Sequence, residues 1–202
     1  MMNAMILCSV IHWGTQKPPV LDIPSEPWVE VFFNPVDDSQ SINGRAKVSG
    51  LQDLQKKSQP VGVTEVRIWE GFGVTYLEGY RFRLEGNRWR GWWIQPLIKD
   101  RSDWKAIRFL HEFSAPTIGW QAFWKTLVDN DLLTLRDFSS LPGQKPTFLD
   151  GVSYVVELSS GGRYRTYHYD NPHAQRGDWP EVKKMRAIVK AVHDAFRDQV
   201  NR

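Results

Sequence analysis

Between Thr64 and Leu97 the chain alternates apolar and polar residues, with glycines between the runs. A side-chain period of two belongs to a strand lying half-buried in a sheet, because successive side chains point to opposite faces. In "TEVRIWE", Val66 and Ile68 share one face while Arg67 and Trp69 share the other. In "YRFRLE", Tyr80, Phe82 and Leu84 alternate with Arg81, Arg83 and Glu85. "EGN" at 85–87 is a hairpin-turn signal, and "RWRGWWI" answers it as the returning strand. The block reads as an antiparallel meander. Parallel strands would need long crossovers, and no βαβ repeat supplies them, so a doubly wound fold is excluded.

The flanking segments fit around this sheet. "KPPVLDIPSEPW" (Lys17 to Trp28) carries Pro18, Pro19, Pro24 and Pro27 and reads as an extended linker or edge lead-in. "WVEVFF" (Trp28 to Phe33) reads as a strand stopped by Asn34-Pro35, and 36–60 as a long polar surface loop with a short helical turn at Leu51 to Lys57. Trp120, Phe123, Trp124, Leu127 and Val128 fall at helical spacing and predict one apolar stripe, with Thr117 as N-cap. "GVSYVVELSSGGRYRTYHY" predicts a hairpin turning at Ser159-Ser160-Gly161-Gly162. A last amphipathic helix begins near Pro180, with Asp178 as N-cap and Val182, Met185, Val189, Val192 and Phe196 as its buried stripe. The expected class is α+β: an antiparallel β-sheet, built of the meander plus the C-terminal hairpin, packed by two main amphipathic helices. Residues 1–24 are expected to be an N-terminal extended segment and 25–202 a single α+β domain.

Composition narrows the functions. With 24% charged and 41% hydrophobic residues in 202, the chain is globular in type. Ten tryptophans point to a core with polar rims, or to binding surfaces, since indole buries much area but needs a partner for its N–H. Lysine and arginine number 26 against 23 acids, and an excess of +3 is too small to argue a nucleic-acid partner. Cys8 stands alone, so no intrachain disulfide can form. No apolar run approaches the roughly 20 residues of a membrane span. The short apolar run Ala4–Ile11 has no Lys or Arg before Lys17; it reads as a loose terminal segment or first strand, or as the remnant of an export signal starting upstream. The first reading places the protein in the cytoplasm and the second outside it. The phosphate-loop, dinucleotide, nucleophile-elbow, H-E-x-x-H and C-x-x-C motifs are all absent, so no cofactor is implied.

Three functional readings remain. The first is a non-catalytic interaction module using the last hairpin and its following loop: Tyr164, Arg165, Tyr167, His168, Tyr169, Asn171 and His173. Tyrosine and arginine concentrate binding energy, and the partner would be a protein or a small polar ligand. The period of two places Arg165, Tyr167 and Tyr169 on one face and Tyr164, Thr166 and His168 on the other; the inward face is expected to hold two tyrosines with bonded hydroxyls. The second is a hydrolase-like enzyme using Glu157, His168, Asp170 and His173, which requires those groups to meet in one concave pocket. A metal at His168, Asp170 and His173 is not expected, because Asn171-Pro172 is a turn signal that ends the strand. The third is single-stranded nucleic-acid binding through Arg81, Arg83, Arg88 and Arg90, which alternate with aromatics. Glu65, Glu70, Glu78 and Glu85 balance that charge and favour a half-buried sheet with a basic outer face.

Asp150, Gly151, Tyr154 and Glu157 spell D-G-x-x-Y-x-x-E, and Tyr164, Tyr167, Tyr169, Asn171 and Pro172 spell Y-x-x-Y-x-Y-x-N-P. This pair of strands followed by a terminal helix resembles a pattern in uncharacterised bacterial proteins, and "EPWVEVFF" and "EVRIWEGFG" are similar to segments of the same type. The resemblance covers much of the chain after Ser25. It implies no established activity and no catalytic residue, and it implies export or lipid anchoring for some such proteins.

Overall fold

The computed structural model describes residues 17–34, 41–72, 75–96, 109–143 and 151–200. The run Ala4–Ile11 with Cys8, and Asp150 of the D-G pattern, lie outside the described residues. In chain order the elements are β1 (Val20–Asp22), α1 (Pro27–Phe33), α2 (Ile42–Val48), β2 (Val63–Gly71), β3 (Glu78–Glu85), β4 (Arg88–Ile94), β5 (Leu110–Glu112), α3 (Trp120–Asp129), a 3-10 turn (Phe138–Ser140), β6 (Ser153–Ser160), β7 (Arg163–Tyr169) and α4 (Pro180–Val200). Seven strands form one open sheet in the order β1-β7-β6-β2-β3-β4-β5. Every pairing is antiparallel except that of β1 with β7. The class is α+β.

The meander of β2, β3 and β4 and the hairpin of β6 and β7 form as their alternation predicts, and β6 docks on β2 to join them. The hairpin turn is tighter than the sequence suggests. Pairing runs to Ser160 opposite Arg163, leaving only Gly161 and Gly162 between the strands. Their φ values of 56° and 76° are those of a two-residue turn whose twist matches the strands, which only glycine adopts at little cost. The proline-rich lead-in contributes β1 to the sheet edge beside β7.

Two segments differ from expectation. Residues 28–33 are helical, not a strand. Pro27 occupies the first turn, where its missing N–H is no loss, and the order Trp28, Val29, Phe32, Phe33 lays two i, i+4 pairs along one face. Burial of Phe33 overrides the strand preference of the valines and aromatics. The polar stretch 36–60 is not all loop either. Ser41 caps α2, its Oγ accepting from the Gly44 N–H at 2.8 Å, and Ile42 and Ala46 are buried. One turn does form at 53–57, closed by Lys57 N–H to the Asp53 carbonyl at 3.1 Å. The cap of α3 is Gly119 and not Thr117, and α4 starts at Pro180 with Asp178 ion-paired to Lys183.

The period of two separates the chain into two apolar clusters on opposite faces. One gathers Val66, Ile68, Tyr80, Phe82, Val156, Tyr167 and Tyr169 with Phe123 and Leu127 of α3 and Val182, Met185, Val189, Val192 and Phe196 of α4. The other gathers Trp69, Ile94 and Val155 with Phe33 of α1 and Ile42 and Ala46 of α2. Among the described residues that second face also carries the buried Arg45, Glu65, Arg67 and Glu157.

Candidate functional site: a cavity over a buried ion network

Glu65 and Arg67 share the α1/α2 side of β2, and Arg81 and Arg83 stand beside them on β3. Glu65 is 1% exposed and its carboxylate accepts from three guanidiniums. Arg67 donates Nε and Nη2 to Oε1 at 2.9 and 2.7 Å; Arg81 donates Nε to Oε1 at 3.0 Å and Nη2 to Oε2 at 2.8 Å; Arg83 donates Nη1 to Oε2 at 3.1 Å. Burial alone would push this carboxyl up, but the Arg67 and Arg81 guanidiniums outweigh it and hold it at about 2. Arg67 Nη2 also donates to the Gln52 carbonyl at 2.7 Å, fixing the covering segment to the sheet.

Glu157 of β6 lies next to Arg67 in cross-strand register. Its Oε2 accepts from Trp69 Nε1 at 2.7 Å and its Oε1 from the Tyr164 hydroxyl at 3.0 Å. Arg67 Nη1 approaches Oε2 only to 3.8 Å, beyond hydrogen-bond reach, and makes no hydrogen bond among the described residues. Burial pushes the Glu157 carboxyl up, against the pull of Arg67, Trp69 and Tyr164.

A cavity of about 430 Å³ opens over this pair. Arg67 and Glu157 line it, Ile42, Ala46, Leu51 and Leu54 supply apolar wall, and Asn34, Asn43, Lys47, Asp53 and Lys56 complete it. That volume and that mix of apolar wall with a few convergent polar groups are those of small-molecule sites. Arg45 of α2 adds to the same layer. Its side chain is fully buried, its cation rests 5.0 Å from the Phe109 ring centroid, and none of its three nitrogens has a hydrogen-bond partner among the described residues. Burial lowers its pKa to about 10, so it stays charged at neutral pH.

The hairpin residues singled out by the sequence are built into the structure. Tyr164, Tyr167 and Tyr169 are each 0% exposed. The inward tyrosines bond as expected: Tyr167 to the Leu132 carbonyl at 2.7 Å and Tyr169 to the Arg136 carbonyl at 2.8 Å. Arg165 donates to the Leu133 carbonyl at 2.9 Å and to the Leu135 carbonyl, and pairs with Asp22 at 3.0 Å. His168 is buried against Trp28 and Phe32, with its backbone N–H on Asp137 at 2.8 Å; burial lowers it to about 4 despite Asp137. Asn171, at φ 36°, packs its side chain where a Gly151 side chain would stand, which links the two halves of the sequence pattern. His173 is exposed, with its ring near Tyr154.

Glu157, His168, Asp170 and His173 are not brought together. Glu157 sits in the ion network, His168 among aromatic rings, Asp170 on the Ser153 hydroxyl at 3.0 Å, and His173 beside Tyr154 on the opposite face. Arg81, Arg83, Arg88 and Arg90 do share one face, and Arg83, Arg88 and Arg90 line a surface hollow with Glu85. Their aromatic partner is not open: Trp92 is 7% exposed, lying between Arg81 at 4.5 Å and Arg90 at 4.9 Å. Trp89 packs on Trp124, and Trp93 donates to Glu78, both on the other face.

The sequence gives little sign of a second titrating cluster. Glu70 and Glu78 are paired directly across β2 and β3, His193 of α4 bonds Glu70 at 2.8 Å, and Trp93 Nε1 donates to Glu78 at 2.8 Å. Burial and the neighbouring Glu70 raise Glu78 to about 7, and the hydrogen bond to Glu70 raises His193. The His193–Glu70 hydrogen bond ties α4 to the sheet. Among the described residues, no three His, Cys, Asp or Glu side chains gather as a metal site would, and no helix is long and apolar enough to cross a membrane.

No protein-family model matches the chain, and no curated protein matches it.

Proposed function

We propose that the protein is a non-catalytic binding module whose recognition site is the cavity over Arg67 and Glu157. The partner class is a small polar ligand rather than a second protein. The observation that carries this reading is the unbridged 3.8 Å gap between Arg67 Nη1 and Glu157 Oε2 at the end of an open cavity of about 430 Å³. Buried charged groups are ordinarily saturated with hydrogen bonds, and a donor left without one is a place for a ligand atom. In this reading α3 and α4 are the packing layer of the opposite face, and the hairpin tyrosines hold the scaffold rigid. Rigid elements on both sides keep the binding groups in place before the ligand arrives.

The test is a fragment screen by thermal shift on the full chain and on Ala46→Leu, whose longer side chain enters the cavity. Fragments that stabilise the wild type and not the variant support the reading. A wild type that no fragment stabilises, or stabilisation equal in both proteins, contradicts it.

A further inference from the structure

Arg67 is the guanidinium of this face that lines the cavity. Arg67, Arg81 and Arg83 converge on Glu65, Arg83 also meets Glu85 at 3.6 Å, and Arg67 Nη1 comes no nearer to Glu157 Oε2 than 3.8 Å. Glu65 already takes five N–H bonds, so it has little left to offer. A guanidinium N–H that faces a sheltered cavity without an acceptor draws an anion strongly, because the field there is poorly screened. Lys47 adds to it at the cavity, while Lys56 is paired with Asp53 at 3.0 Å.

We propose that the cavity takes a small organic anion, with its carboxylate or phosphate head on Arg67 Nη1 and its body against Ile42, Ala46, Leu51 and Leu54; this rests on the cavity being the recognition site. A bare inorganic ion would leave most of about 430 Å³ unfilled and the apolar wall uncovered. An aromatic or short aliphatic acid fills both.

Glu157 makes the binding proton-linked. As a carboxylate beside Arg67 Nη1 it repels an incoming anion; protonated, it donates a hydrogen bond to it. The groups facing it are Arg67, Trp69 and Glu65 on β2, Tyr164 on β7, and Lys47, Asp53 and Lys56 around the cavity. Of these only Arg67, Trp69 and Tyr164 favour its charged form directly. Its burial already favours the neutral form, and an anion alongside favours it further. Affinity therefore falls as pH rises.

Calorimetric titration of the full chain with benzoate, phenyl phosphate and the neutral benzamide at pH 6 and pH 8 tests this. One or both anions should bind at least about tenfold more tightly than benzamide, and more tightly at pH 6 than at pH 8. Glu157→Gln should remove the pH effect, and the surface variant Lys47→Glu should weaken the anion by about three- to tenfold. Tighter phenyl phosphate would assign a phosphate head and tighter benzoate a carboxylate head, either one within the proposal. Benzamide binding as well as the anions would leave the cavity standing and overturn the anion. Failure of all three ligands, or anion binding undiminished in Ala46→Leu, would overturn both.

Discussion

Glu65 and Arg67, two residues apart on one face of β2, are joined by hydrogen bonds of 2.9 and 2.7 Å with both side chains 1% exposed. Removing one partner of such a pair strands the other in a place water cannot reach. Glu65→Gln should therefore destabilise the fold by about 3–5 kcal/mol, since Arg67, Arg81 and Arg83 all lose their common anion. Urea denaturation at pH 7 measures it, and a loss below about 1 kcal/mol would mean that the guanidiniums are solvated.

Stability should decline as pH rises above about 6.5. Glu78 is raised to about 7 and His193 is raised by Glu70. A group whose folded pKa is raised stabilises fully below its unfolded pKa and loses that contribution as pH climbs through the folded value. His168, lowered to about 4, and His173, also lowered, act with the opposite sign, but theirs is complete above their unfolded value near 6.5. Glu65, at about 2, acts only in acid. Urea midpoints at pH 6.5, 7.5 and 8.5 should fall in the wild type and fall less in Glu78→Gln. Midpoints that rise over this range would contradict the raised Glu78 and His193.

Arg165→Ala should cost about 1–3 kcal/mol, because the carbonyls of Leu133 and Leu135 lose their donor and Asp22 loses its pair. It should leave ligand binding in the cavity unchanged, since Arg165 lies on the far face of β7. His173→Ala, at an exposed ring, should change stability little. A normal melting temperature in Arg165→Ala with loss of ligand binding would return the hairpin to the role of a contact surface.

The sheet was legible because alternation survives wherever one face is buried. Val66 and Ile68, Tyr80 and Phe82, and Tyr154 and Val156 all declare their strands that way. α1 was not, since "WVEVFF" is made of strand formers and only Pro27 marks a helix start. α2 was hidden by Asn43 and Gly44, poor helix residues in its first turn, and by having only Ile42 and Ala46 as an apolar pair. The face covered by these helices therefore reads in the sequence as a basic outer face. Arg81 and Arg83 look like solvated charges in sequence, yet they converge on a carboxylate that α2 and the 51–59 segment help to cover. One signal was present: Trp69 shares that face with Arg67, and an indole seldom lies open beside a charge. The cavity itself has no sequence signature, because it is assembled from α2, the turn after it, β2 and β6.

The most direct test of the binding cavity is a backbone amide chemical-shift titration of the full chain with benzoate at pH 6. The account predicts saturable shifts concentrated at Ile42, Ala46, Lys47, Leu54, Arg67 and Glu157. Shifts confined to the Glu70, Glu78 and His193 cluster or to the 163–173 hairpin, or no saturable shift at all, would contradict it.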